Sequence, residues 1–293
     1  MTTTAEKRDQ VVAEAIKEIS HIATLPEITL KIVELVEDPK STAQHLHKVI
    51  ANDPALCARI LKVVNSSFYG LPGQIGSINR AIVMLGLNAV KNIAIAASLA
   101  KLFRGGDLTP TFSARTLWLH SVTVAACAKM TADKLGFAAA DEAFLSGLMH
   151  DIGMMVEMQY DRNKLIEAVQ KLGPCEGGVP GGSLMTCEDE IFGANHQQFG
   201  SGLCKKWKFP NSFGLVTGNH HEPLALPPES RTMPALIHVA DRLAGELGGF
   251  RLDLPSLEIG ADVCDALKLS TEQLAVLRQE IPEHIKSVES MLA

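Results

Sequence analysis

The chain has 293 residues, 46% of them apolar and 20% charged, which suits a folded protein of one large domain or two smaller ones. Its net charge of −6 and lack of a basic stripe argue against nucleic acid or an anionic membrane as partner. Apolar runs such as Ile93 to Ala100 fall far short of the ~20 residues needed to span a bilayer.

Charge is unevenly spread, with a balance of +2 over residues 1–110 and −8 over the remainder. Six cysteines are scattered singly with no Cys-x-x-Cys, and no signal peptide is evident. Reduced thiols and a cytoplasmic location are therefore expected.

In chain order, Val11, Val12, Ala15 and Ile16 predict an N-terminal helix, frayed or docked, over residues 1–20. Leu25-Pro26 opens a second, with Ile28, Ile32, Leu35 and Val36 on one face, and Asp38-Pro39 ends it. Ser41 and Gln44 predict a capping box for the next helix, and Asp53-Pro54 predicts the start of another. Asn65 to Gly76 breaks the period. Helical spacing then returns at Ile78, Ile82 and Leu85, stops at Gly86, and resumes to Leu102. Short helices joined by tight turns invite comparison with DNA readers, but the missing basic face favours a packing module. Arg104 to Thr111 is the expected boundary between two halves. No strand alternation is found anywhere.

Beyond that boundary, Leu117, His120, Val124 and Cys127 share one helical face, which turns His120 inward. Asp141-Glu142 opens a helix expected to run through His150-Asp151, and residues 161–172 form another. Gly173 to Gly182 cannot continue a helix and is read as a surface loop or a cover over a nearby site. Helical patterns follow around His196, before His220-His221, and at Leu236 to Leu247, where Asp241 lies beside the apolar stripe. The tail carries a Ser270–Gln273 box and a final helix that Pro282 should kink.

His120, His150, Asp151, His196, His220, His221 and Asp241 thus come from five helical segments, separated by gaps of 30, 45, 24 and 20 residues. Such spacing lets antiparallel helices of a bundle aim their side chains at a shared interior point. Mixed imidazole and carboxylate donors suit a divalent transition metal (Fe, Mn, Zn, Ni or Co), as one or two ions.

His120, His150-Asp151 and Asp241 resemble the H…HD…D pattern of the HD-domain metal-dependent phosphohydrolases. More narrowly, the chain resembles the HDOD family of bacterial signalling output domains. The match is carried by Leu25-Pro26, Asn52-Asp53-Pro54, Val64 to Gly70, Ala81 to Gly86, Phe144 to Gly153, Gly193 to His196 and His220-His221. The resemblance implies an all-α, two-lobed fold. Residues 22–108 would form a helical lobe and 109–247 an HD-like helical bundle, flanked by an N-terminal helix (1–21) and a helical extension (248–293). It implies a role in signal transduction through a regulatory or signalling protein partner, with self-association as a further expectation.

By similarity to the HD-GYP phosphodiesterases, His120, His150, Asp151 and Asp241 would hold one metal, and His196, His220 and His221 a second, sharing Asp151. An alternative function follows from the same likeness: hydrolysis of a nucleotide or cyclic dinucleotide. Two departures weigh against it. Met154 stands where those enzymes carry a phosphate-binding Lys, and Glu222-Pro223 leads into sequence unlike their Gly-Tyr-Pro loop.

Overall fold

Helices α1 (Thr4–Glu18), α2 (Glu27–Glu37), α3 (Ala43–Ala51), α4 (Pro54–Val64), α5 (Ile78–Leu85) and α6 (Leu87–Leu99) make up the first part of the chain. The computed structural model describes residues 4–19, 26–38, 40–66, 68–103, 106–110, 112–173, 175–176, 179–248 and 251–292. Leu25, Pro39, Ser67, Arg104, Gly105, Thr111, Pro174, Gly177 and Gly178, which belong to the motifs and loops named above, lie outside the described residues.

Helix α6 explains how this part coheres. It is mostly apolar and buried from Ala89 to Leu99, so α2, α4 and α5 all find a surface to pack on. Asp53 caps α4 by accepting the Leu56 N–H at 2.9 Å, with Pro54 in the first turn. The cap of α3 falls one residue later than expected: Thr42 and His45 form the box, not Ser41 and Gln44. Ser41 instead receives Lys91, a buried lysine of α6 that also donates to the Leu35 carbonyl. Asn65 closes the following loop, its side chain pairing with both backbone groups of Ile75.

The second part contains α7 (Ala114–Lys134), α8 (Ala140–Met149), α9 (Ile152–Tyr160), α10 (Arg162–Lys171), α11 (Leu184–Phe192), α12 (His196–Lys206), α13 (Asn211–Asn219), α14 (Thr232–Glu246), α15 (Ala261–Leu267) and α16 (Thr271–Leu292). Helix α7 is its axis, packing against α8, α14 and α16, while α9 packs on α12, and α8 joins this bundle to α6.

Two glycines set the tightest crossings. A Cβ on Gly147 would lie 2.8 Å from Ala125 Cα of α7, and one on Gly153 would lie 1.8 Å from the His196 carbonyl oxygen. Both ends of the chain fold back onto this core: α1 packs on α12 and α9, and α16 on α7 and α4. The N-terminal helix is therefore docked, burying Val12, Ala15, Ile16 and Ile19.

The fold is all-α, yet two short antiparallel strand pairs correct the expectation of no strands. Asp107–Thr109 (β1) pairs with Phe112–Ser113 (β2), and Cys175–Glu176 (β3) with Val179–Pro180 (β4). Strands this short show no alternation that a sequence could display. No helix among the described residues is long and apolar enough to cross a membrane.

Candidate metal centre

The helix expected to run through His150-Asp151 is broken there. His150 is the C-cap of α8 and Asp151 the N-cap of α9. The break has a chemical consequence: adjacent side chains on a continuous helix diverge by about 100°, whereas here both reach one point. His120 comes from α7, His196 from the first turn of α12, His220 and His221 from the end of α13, and Asp241 from α14.

The seven residues singled out from the sequence come together. Asp151 Oδ2 lies 3.1 Å from His150 Nε2 and 3.7 Å from His120 Nε2. Its other oxygen, Oδ1, lies 3.3 Å from His220 Nε2 and 3.9 Å from His196 Nε2. Asp241 Oδ1 is 3.2 Å from His120 Nε2 and 3.8 Å from His150 Nε2. The Nε2 atoms of His196 and His221 are 3.0 Å apart.

Backbone chemistry sets the imidazole tautomers. Nδ1 of His150 donates to the Gly147 carbonyl at 2.7 Å, and Nδ1 of His220 to the Val216 carbonyl at 3.2 Å. A carbonyl only accepts, so each Nδ1 bears a proton, and each ring, once neutral, turns its Nε2 lone pair inward. His196 is oriented by Glu188 of α11, whose Oε2 accepts from Nδ1 at 2.7 Å and from the backbone N–H at 3.0 Å. A carboxylate behind a ligand histidine fixes its ring and raises its basicity.

Sequence reasoning missed three acidic residues here. Glu188 is one, and Glu157 of α9 is another, fully buried beside it. Burial, then the charge of Glu188, push the Glu157 carboxyl well above its ordinary range. The third is Asp253, on the segment after α14, with Oδ2 3.7 Å from His221 Nε2. Asp253 lies between Leu252 and Leu254 in no helix, which leaves the sequence with no periodic signal for it.

These side chains fit a divalent transition metal. Both oxygens of Asp151, Asp241 and Asp253, and Nε2 of His150 and His220, have no hydrogen-bond partner although buried. Buried polar groups are rarely left so, and with the imidazoles neutral, nitrogen and oxygen lone pairs face one another. Donors sharing an ion at roughly 2.0–2.2 Å sit about 3.0–3.5 Å apart, close to the shorter separations above. Three sets of donor atoms lie mutually within 4.8 Å: Asp151 with His196, His220 and His221; His120 with His150, Asp151 and Asp253; and His221 with Asp241 and Asp253.

Protons compete with a cation for the cluster. Burial works against the charged form of His150, but Asp151 and Asp241 outweigh it and hold the ring up at about 9. His196 is likewise held at about 9, burial being overcome by Glu188. Burial, reinforced by neighbouring imidazoles, drives His220 and His221 down. Asp253 is raised to about 8 by burial and by the charges of Asp151 and Asp241. The cluster is also closed to solvent, with no side chain among these donors more than 5% exposed.

Buried His and Asp side chains from several bundled helices are thus placed where they could hold a metal ion. Residues 22–223 match the HDOD domain, and the chain belongs to the HDOD domain family. It superposes with a TM-score of 0.80 on an HDOD domain protein of unknown function from Geobacter sulfurreducens, 23% identical and covering 98% of each chain. A candidate phosphohydrolase from Shewanella amazonensis SB2B gives 0.74 at 20% identity, covering 97% of this chain and 98% of its own. At these identities the likeness is one of fold. An uncharacterized protein of Treponema pallidum (strain Nichols) is 22% identical over 259 residues, 87% of this chain. The chain spans about half of that relative, 48% of its length.

Proposed function

We propose that this protein is a cytoplasmic signalling module that keeps an HD-type metal centre for structure or sensing and acts through contacts with a regulatory protein partner. His120, His150, Asp151 and Asp241 would hold one ion of Fe, Mn, Zn, Ni or Co. His196, His220 and His221, with Asp151 shared, would hold a second. When bound, such an ion supplies Lewis acidity and strong electrostatic cross-linking of the helices that carry its ligands.

The observation that carries this reading is the closure of the cluster, with donor side chains at most 5% exposed. A phosphodiester has to bring an oxygen to the metal and its scissile bond into line, which needs an open face. Met154 points the same way. It is fully buried and offers neither charge nor proton to a phosphate oxygen.

The complete donor set favours a second reading, a metal-dependent phosphohydrolase acting on a nucleotide or cyclic dinucleotide. One assay separates them. Protein loaded with Mn2+ is incubated with a chromogenic phosphodiester and with cyclic dinucleotides. The regulatory reading expects turnover at background. Robust turnover that disappears in Asp151→Ala would establish the enzyme instead.

A further inference from the structure

Asp253 stands apart from the motif residues. It lies beyond the family match, which ends at residue 223, on a segment that the sequence assigns to no motif. Its carboxylate is nonetheless fully buried, neither oxygen has a hydrogen-bond partner, and Oδ2 faces His221 of the cluster. The 3.7 Å to His221 Nε2 is too long for a hydrogen bond. It is a separation that two ligands of one ion can adopt.

Its position is central. Asp253 belongs to one mutually close set with His120, His150 and Asp151, and to another with His221 and Asp241. It therefore lies close to both halves of the site, as Asp151 does.

The segment is pinned where it needs to be. Leu254 is fully buried, and the Leu254 N–H closes a turn onto the Arg251 carbonyl at 3.1 Å. Gly245 of α14 leaves room for it: a Cβ there would lie 2.6 Å from Leu257 Cδ2 and 2.9 Å from Leu254 Cδ1. Arg242 holds the far end, donating through Nε to the Glu258 carbonyl at 3.0 Å. A carboxylate fixed this firmly among imidazoles and two other carboxylates cannot swing out to water. Its burial is costly unless a cation shares the space.

We infer that Asp253 is a further ligand of the metal centre, a third carboxylate delivered by the segment after α14 and bridging the two halves of the site. The inference rests on the metal reading above and adds to it a donor from outside the family pattern. A site with three carboxylates carries more negative charge than the motif alone provides, which favours hard, oxygen-preferring ions such as Mn2+ over softer ones.

The test uses the full chain, stripped with chelator and titrated with Mn2+, with affinity read by calorimetry and free Mn2+ by electron paramagnetic resonance. Asp253→Asn should bind Mn2+ at least tenfold more weakly than wild type. The chelator-treated variant should melt at no lower a temperature than chelator-treated wild type, because the carboxyl has no hydrogen-bond partner for the substitution to remove. A merely structural carboxylate would lower that melting temperature. Glu258→Gln, an exposed carboxylate on the same segment, should bind like wild type. Asp253→Ser repeats the measurement if the asparagine variant does not fold. Equal Mn2+ affinity in wild type and a folded Asp253 variant overturns the inference while leaving the motif site intact. Wild type that takes up no Mn2+, Fe2+ or Zn2+ brings down the metal reading and this inference with it.

Discussion

Asp151 is where the cluster is joined, one oxygen facing His150 and His120 and the other facing His220 and His196. Its neighbours show how the surroundings of a side chain decide its protonation. The folded Glu157 carboxyl is raised by burial and Glu188, so its stabilising contribution is whole below the unfolded value of 4.5 and is lost as pH rises. Glu157→Gln removes that loss. The variant should therefore gain stability over wild type by an amount that grows between pH 5 and pH 8, read from urea denaturation at each pH. A gain that does not change with pH would show that Glu157 is ionised in the fold. Met154→Lys should destabilise by about 3–5 kcal/mol, because the ammonium would enter a fully buried position. A Lys variant as stable as wild type, and active on phosphodiesters, would reverse the reading of Met154. The motif donors were legible because histidines and aspartates on apolar helical faces are costly to bury unless a cation or a proton donor meets them. Asp253, Glu188 and Glu157 were not, since their meaning comes from contacts across elements that no spacing encodes.

Among the elements, the decisive feature is the break between α8 and α9, which the apolar run from Phe144 to Met155 hides. Periodicity reads as one helix running through it, because the joint is set by what the two side chains face rather than by a Pro or a cap. Gly153 shows the same limit. Its place in the motif could be read, but not that α12 presses the His196 carbonyl against it. Gly153→Ala has no room for its methyl without separating α9 from α12. It should cost about 3 kcal/mol or more in thermal or urea unfolding and should weaken metal uptake through His196. A cost below about 1 kcal/mol would mean that the crossing relaxes freely. Caps at Asp53 and Ser270 were correctly anticipated from local sequence, the latter seen in the reciprocal bonds with Gln273. The cap at Thr42 was missed by one residue because its partner is His45, a residue type outside the usual box.

Over the whole molecule, the donors draw on α7, the α8–α9 joint, α12, the end of α13, α14 and the segment after it. One ion pair of that reach would tie most of the second bundle together, and α1 and α16 close on the same helices. A ligand that binds only the folded state stabilises it by about 2.7 kcal/mol at a hundredfold excess over Kd. Mn2+ should accordingly raise the melting temperature of chelator-treated protein by several degrees, and Mg2+, which prefers an all-oxygen shell, should raise it much less. Equal shifts with both ions would point to nonspecific binding at the acidic surface. The central claim is that the buried cluster is a metal site, and elemental analysis of the purified chain tests it most directly. Wild type is predicted to carry one or two divalent transition-metal ions per chain after dialysis, and Asp151→Ala, folded by circular dichroism, to carry none above background. A wild-type protein free of metal after incubation with Fe2+, Mn2+, Zn2+, Ni2+ and Co2+, or an Asp151→Ala variant loaded as fully as wild type, would contradict it.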